Sequence, residues 1–149
     1  MAAMTISVTS VSDVTPDLVE AMNRLLPELS SSASPLSAKD LREIVDSPAT
    51  VLFIARSDLQ TIVGTLTLVF FRLPTGMRAW IEDVIVAPDA RGLGVGAALC
   101  QTAIRRAAES GAVSIDLTSR PSRLAANELY KKLGFQQRET NVYRYTVTR

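Results

Sequence analysis

The residues best placed to do chemistry are concentrated between Val84 and Leu99. The stretch reads Val84-Ile85-Val86-Ala87-Pro88-Asp89-Ala90-Arg91-Gly92-Leu93-Gly94-Val95-Gly96-Ala97-Ala98-Leu99. A strand, a Pro-bearing bend and three alternating glycines lead into a helix. Glycines let backbone N–H groups approach a ligand without Cβ obstruction, and a helix start adds unpaired donors and the positive end of its dipole. Arg91 supplies a full charge beside that nest, so the pattern suits a phosphate group. A plain strand-to-helix turn with glycines for tight packing is the simpler alternative. A dinucleotide fingerprint is a third, since Gly92-x-Gly94-x-x-Ala97 fits it in form and Asp116 lies about 20 residues on. Against it, a five-residue bend containing Pro88 separates Val86 from Gly92, where that fingerprint's glycines follow their strand almost directly. No Gly-Lys-Ser/Thr follows, which excludes a P-loop.

The composition narrows the catalytic repertoire. Histidine is absent from all 149 residues, which removes imidazole acid–base catalysis, His-based triads and His metal sites. Carboxylates, hydroxyls, cations and backbone amides remain. The lone cysteine, Cys100, permits no intramolecular disulfide and lies on an apolar helix stripe, where a packed thiol is expected rather than a nucleophile. Sixteen Lys and Arg against fifteen Asp and Glu leave a formal charge of +1, unlike a dedicated nucleic-acid binder. That balance conceals a division: residues 1–90 hold 11 acids and 6 bases, residues 91–149 hold 4 acids and 10 bases. Scatter is one reading of this. The other is an anionic ligand held by the C-terminal half and a cationic partner met by the N-terminal half.

The elements that must position these residues follow from periodicity. Thr5 to Val8 alternates as a short strand. Thr15-Pro16 opens a helix with Pro at its favoured first position, and Leu18, Met22, Leu25, Leu26 and Leu29 give it one apolar face. Ser30 to Pro35 is a polar loop, and Ser37 with Asp40 caps a second helix that stops before Pro48. Val51–Ala55, Ile62–Phe71 and Trp80–Val86 read as successive strands, with Gly64 marking a bulge or a close approach. A helix over Gly94–Ser110 carries Ala97, Cys100, Ile104 and Ala107 as its stripe and stops at Gly111. Val113–Thr118 is a strand, Arg123–Leu133 a helix and Asn141–Thr148 a final strand, with Gln136–Glu139 left open as a short strand that would complete the element order. The order β-α-α-β-β-β-α-β-α-β-β makes a mixed α/β fold, a single domain over residues 1–149 without repeats or linkers. No secretory signal is read in the first fourteen residues, and no apolar run approaches the ~20 residues of a membrane helix, so a cytoplasmic setting is expected.

Arg91-Gly92-Leu93-Gly94-Val95-Gly96 resembles the R/Q-x-x-G-x-G/A acyl-CoA pyrophosphate loop of the GNAT superfamily of N-acetyltransferases. Ile81-Glu82-Asp83-Val84-Ile85-Val86-Ala87-Pro88 resembles that family's fourth strand. Ala125-Ala126-Asn127-Glu128-Leu129-Tyr130-Lys131-Lys132-Leu133-Gly134-Phe135 resembles its second signature, about 30 residues further on. The element order matches too, so the resemblance spans nearly the whole chain. It implies a central, mostly antiparallel mixed sheet of six to seven strands flanked by about four helices.

The resemblance also assigns roles. Backbone groups of Val84, Ile85 and Val86 would pair with the pantetheine arm of acetyl-CoA, the cosubstrate, with no metal. Amides of Gly92, Gly94, Val95, Gly96 and Ala97 would take the pyrophosphate, with Arg91 adding charge. Asn127 would contact the pantetheine arm, and the Tyr130 hydroxyl would protonate the departing thiolate. Arg123, Lys131 and Lys132 are candidates for the 3′-phosphate. The implied reaction is direct attack of a primary amine on the acyl carbonyl, and a base or a water wire must first remove the ammonium proton. Without histidine, Glu82 is the first side-chain candidate and Asp83 the second. Strand alternation puts Trp80, Glu82, Val84 and Val86 on one face and Ile81, Asp83 and Ile85 on the other. The expected enzyme is an acyl-CoA-dependent N-acetyltransferase acting on a small-molecule amine. Protein or peptide acetylation and a non-catalytic acyl-CoA sensor are the alternatives. No nucleic-acid or membrane partner is expected, and a homodimer stays open.

Overall fold

A computed structural model describes residues 4–148, which leaves the first three residues of the N-terminal segment and Arg149 outside the described range. The chain forms two compact units that divide between Thr118 and Ser119. The first holds a five-stranded sheet and three helices: β1 (Ser7–Ser10), α1 (Pro16–Leu25), α2 (Ala38–Asp46), β2 (Thr50–Arg56), β3 (Ile62–Leu73), β4 (Gly76–Val86), α3 (Val95–Glu109) and β5 (Ile115–Asp116). The second holds α4 (Leu124–Lys132).

The sheet runs in sequence order, antiparallel from β1 to β4 and parallel between β4 and β5, with α3 as the crossover. Local chemistry starts the helices where the sequence predicts. The Thr15 side chain accepts from the Leu18 amide with Pro16 at the first helical position, and Ser37 and Asp40 close a reciprocal capping box. The core is aliphatic: Leu18, Leu25, Leu41, Ile62, Leu66, Leu68 and Leu99 are all fully buried. Each such side chain contributes about 1.5–3 kcal/mol relative to exposure.

Register assigns the faces of the sheet. A Cβ built on Gly64 would meet Val95 and Leu99 of α3, so the face carrying Gly64 is the one α3 covers. Cross-strand pairing puts Phe53, Ala55, Leu66, Leu68, Ile81 and Val86 on that face. Helices α1 and α2 pack on β3 and β2 and cover the other, where Leu52, Ile54 and Thr65 are buried. The Thr65 hydroxyl is satisfied there by the Phe53 carbonyl at 2.9 Å.

Three expectations change. The sheet has five strands among the described residues, not six or seven: within residues 113–118 only Ile115–Asp116 is strand, Val113 and Ser114 adding backbone hydrogen bonds to Met77 and Ala79, and residues 136–148 form no strand. Alternation alone does not make a strand, because each backbone N–H and C=O needs a partner backbone. Val142, Tyr143, Tyr145 and Val147 instead stand 72% to 90% exposed. The first strand is Ser7–Ser10 rather than Thr5–Val8. The buried stripe of α3 is Val95, Leu99, Cys100, Ala103 and Ala107, rotated from the predicted Ala97-Cys100-Ile104-Ala107 set. Val95 and Leu99 close on Gly64, and that contact fixes the phase of the helix.

Candidate functional site

The glycine loop ends β4 and starts α3. After Val86 a single 3-10 turn, Pro88–Ala90, carries the chain to Arg91, and Gly94 caps α3 in the left-handed region at φ +86°. Gly92 is left-handed as well, at φ +76°. A side chain at either position would project into open space, so only the backbone geometry demands glycine. Helices α1 and α2 spend a side-chain oxygen on their first-turn amides, whereas α3 has no side-chain cap. The N–H groups of Val95, Gly96 and Ala97 therefore have neither an intrahelical acceptor nor a capping side chain, and they point out of the positive end of a fifteen-residue helix. Arg91 Nε donates to the Val86 carbonyl at 3.3 Å, and its Nη2 lies 4.0 Å from Glu28. That places the guanidinium beside the loop, and an anion bound there would compete with Glu28 for it. The donor set fits a pyrophosphate.

The strand leading into this loop is irregular. Thr65 pairs with Ile85 and Thr67 with Glu82, so Asp83 and Val84 together oppose Leu66. This is a β-bulge with Asp83 in the left-handed conformation, φ +51°, a position that usually takes glycine. The surplus residue overturns the simple alternation. Trp80 and Glu82 share their face with Ile85, while Val84 no longer follows Glu82 and Val86 turns to the α3 side. Glu82 and Asp83 are both exposed.

Pairing with β5 stops at Trp80. From Ile81 to Val86 the edge of β4 away from β3 has no ladder partner among the described residues. An edge of unpaired backbone groups beside an uncapped helix start can hold an extended, amide-bearing chain and its terminal phosphates. Within the first unit, Val84, Ile85 and Val86 are thus neighbours of Arg91, Gly92, Gly94, Val95, Gly96 and Ala97.

One feature there was not singled out from sequence. Trp80 Nε1 donates to Glu82 Oε1 at 2.8 Å. The signal available was the two-residue spacing of the sole tryptophan and an acid on one strand.

The second unit carries Asn127 and Tyr130 on α4. Asn127 Nδ2 donates to the carbonyls of Arg120, at 2.9 Å, and Arg123, at 2.7 Å, which fastens the turn before the helix and leaves Oδ1 as its remaining ligand-binding atom. The Tyr130 ring meets Phe135 edge-on, centroids 5.9 Å apart, so the segment just after α4 fixes the ring plane. Arg123 caps α4, and Lys131 and Lys132 are exposed in its last turn. Cys100 is buried, and burial pushes its thiol up to about 11, away from nucleophilic use.

Comparison with known proteins agrees with this geometry. A 61-residue stretch is 39% identical to an uncharacterized N-acetyltransferase of Methanocaldococcus jannaschii, covering 41% of this chain and 27% of that protein's length. The crystal structure of a Trypanosoma brucei acetyltransferase superposes with a TM-score of 0.77 at 26% identity, over 95% of this chain and all of the other. An aminoglycoside acetyltransferase from an uncultured soil metagenomic sample, in complex with sisomicin, shares the fold with a TM-score of 0.82 at 18% identity, over 98% and 97% of the two chains. Residues 17–135, from the first turn of α1 through Phe135, match the acetyltransferase (GNAT) family, and the chain belongs to it.

Proposed function

We propose that this protein moves the acetyl group of acetyl-CoA to a primary amine of a small molecule by direct attack. The observation that carries the reading is the juxtaposition of an open β4 edge, Ile81 to Val86, with the uncapped, Arg91-flanked start of α3. In this reading the edge holds the pantetheine arm and the amides of Gly92, Gly94, Val95, Gly96 and Ala97 hold the pyrophosphate. Glu82, exposed on the bulged strand, takes a proton from the ammonium group. The freed nitrogen lone pair attacks the acyl carbon, the carbon–sulfur bond breaks, the Tyr130 hydroxyl protonates the leaving thiolate, and the proton that the nitrogen sheds as it becomes an amide restores the Tyr130 hydroxyl. Asn127 contacts the pantetheine arm through its Oδ1. Eleven acids in residues 1–90, and a fold shared with a protein that binds sisomicin, an aminoglycoside, support a small cationic acceptor.

The test is free-thiol release from acetyl-CoA in the presence of polyamines, amino sugars, amino acids and peptides. Amine-dependent release with small amines is the expected result. Release with peptides alone makes the protein a peptide acetyltransferase. Acetyl-CoA binding without release across the panel makes it a binding module and overturns the proposal.

A further inference from the structure

The Trp80–Glu82 hydrogen bond has no counterpart in the sequence reading. Both residues lie on the face of β4 turned away from α3, two positions apart, before the bulge reverses the alternation. An indole N–H can only donate, so the bond engages one carboxylate oxygen, Oε1, and leaves Oε2 to accept a further proton. A glutamate on an exposed strand face otherwise samples many rotamers. Trp80 itself is held between two strands: it pairs with Val69 of β3 on one side and with Asp116 of β5 on the other. It is also the last residue of β4 that pairs with β5, at the point where the open edge begins.

We infer that Trp80 is a positioning residue for the amine-binding carboxylate: its indole N–H locks Glu82 so that Oε2 faces the incoming ammonium group. This rests on the proposal that Glu82 is the base. The proton passes from the ammonium nitrogen to Oε2, leaving a neutral amine and a neutral carboxyl group, while the Oε1 bond to the indole holds the plane of the group.

Because the chain has a single tryptophan, it gives a single indole N–H resonance, and the bond can be read without any substrate. In Glu82→Ala this resonance moves upfield. Trp80→Phe lowers kcat about 10-fold with the most reactive of spermidine, glucosamine and lysine, and leaves the KM for acetyl-CoA unchanged. The double variant is no slower than Glu82→Ala alone, because an orienting group has nothing left to orient. If Trp80→Phe fails to fold, the indole shift in Glu82→Ala and in Glu82→Gln still decides whether the bond exists. An unmoved indole resonance, or rate losses that multiply in the double variant, overturns the inference. A full-rate Glu82→Ala with a shifted resonance refutes the base assignment, and positioning with it, but leaves the bond intact, so the two failures are distinguishable.

Discussion

Gly64 lies under the start of α3, and replacing it by alanine tests whether the loop geometry is held from below. The added Cβ would stand 2.8 Å from Val95 Cγ1, 3.0 Å from the Ile85 carbonyl oxygen and 3.1 Å from Leu99 Cδ1. None of these can yield easily: Val95 and Leu99 are fully buried, and the Ile85 carbonyl is strand backbone. Relief must come from the helix lifting off the sheet at Val95, the first residue after the Gly94 cap. Overpacking of this kind costs about 1–3 kcal/mol, offset by about 0.5–1 kcal/mol from replacing glycine within a strand. The net loss centres on about 1 kcal/mol, a fall in Tm of roughly 2–4 °C for a chain of this length. The same displacement moves the amides of Val95, Gly96 and Ala97, so the KM for acetyl-CoA rises while the KM for the amine stays constant. Calorimetry and initial-rate kinetics measure both. Adding Val95→Ala removes the 2.8 Å contact and restores the acetyl-CoA KM even where Tm stays low. A Gly64→Ala protein with unchanged Tm and unchanged acetyl-CoA KM would refute the reasoning.

Three further outcomes are expected. Tyr130→Phe keeps the ring contact with Phe135, so CoA affinity by calorimetry is unchanged while kcat falls by about 100-fold; an unaffected kcat removes Tyr130 from the mechanism. Asp83→Gly relieves the left-handed backbone and raises stability by about 1 kcal/mol with kcat retained, whereas Asp83→Val unfolds more readily; a large kcat loss in the glycine variant would make Asp83 the base. Cys100, with its thiol pushed up to about 11, is about one part in a thousand thiolate at pH 8, so Ellman's reagent reacts with the native protein far more slowly than with the denatured one. Its folded value lies above the ordinary thiol value of 9.0, so the stability it contributes is present below pH 9 and is lost as pH rises toward 11, which alkaline thermal melts read directly.

What was legible in the sequence was local. The Thr15-Pro16 start and the Ser37–Asp40 capping box specify their own hydrogen bonds within a few residues, and α3 starts directly after the Gly94 turn. The phase of α3 was not, because a helix rich in Ala offers little contrast between faces and takes its orientation from Gly64, some 30 residues upstream. The bulge was invisible for a related reason. Asp83 becomes surplus only when counted against Leu66 on another strand, and an aspartate does not announce a left-handed backbone as glycine would. The Trp80–Glu82 bond could be anticipated as a shared face but not as a contact. The alternation through Asn141–Thr148 looked like a strand because pattern alone carries no information about a pairing partner.

The bulge also bears on how this strand can change in length. Upstream of it the even-numbered residues Trp80 and Glu82 look away from α3, and downstream the odd-numbered Ile85 does. Loss of Asp83 or Val84 would leave one residue opposite Leu66 and return β4 to plain alternation, with Glu82 and Ile85 still opposite Thr67 and Thr65 and still facing away from α3. A one-residue deletion elsewhere in β4 would exchange inner and outer faces beyond it, whereas one at the bulge removes the left-handed position and keeps both faces. The bulge is therefore the one place along β4 where the strand can shed a residue without turning its core-facing side chains outward.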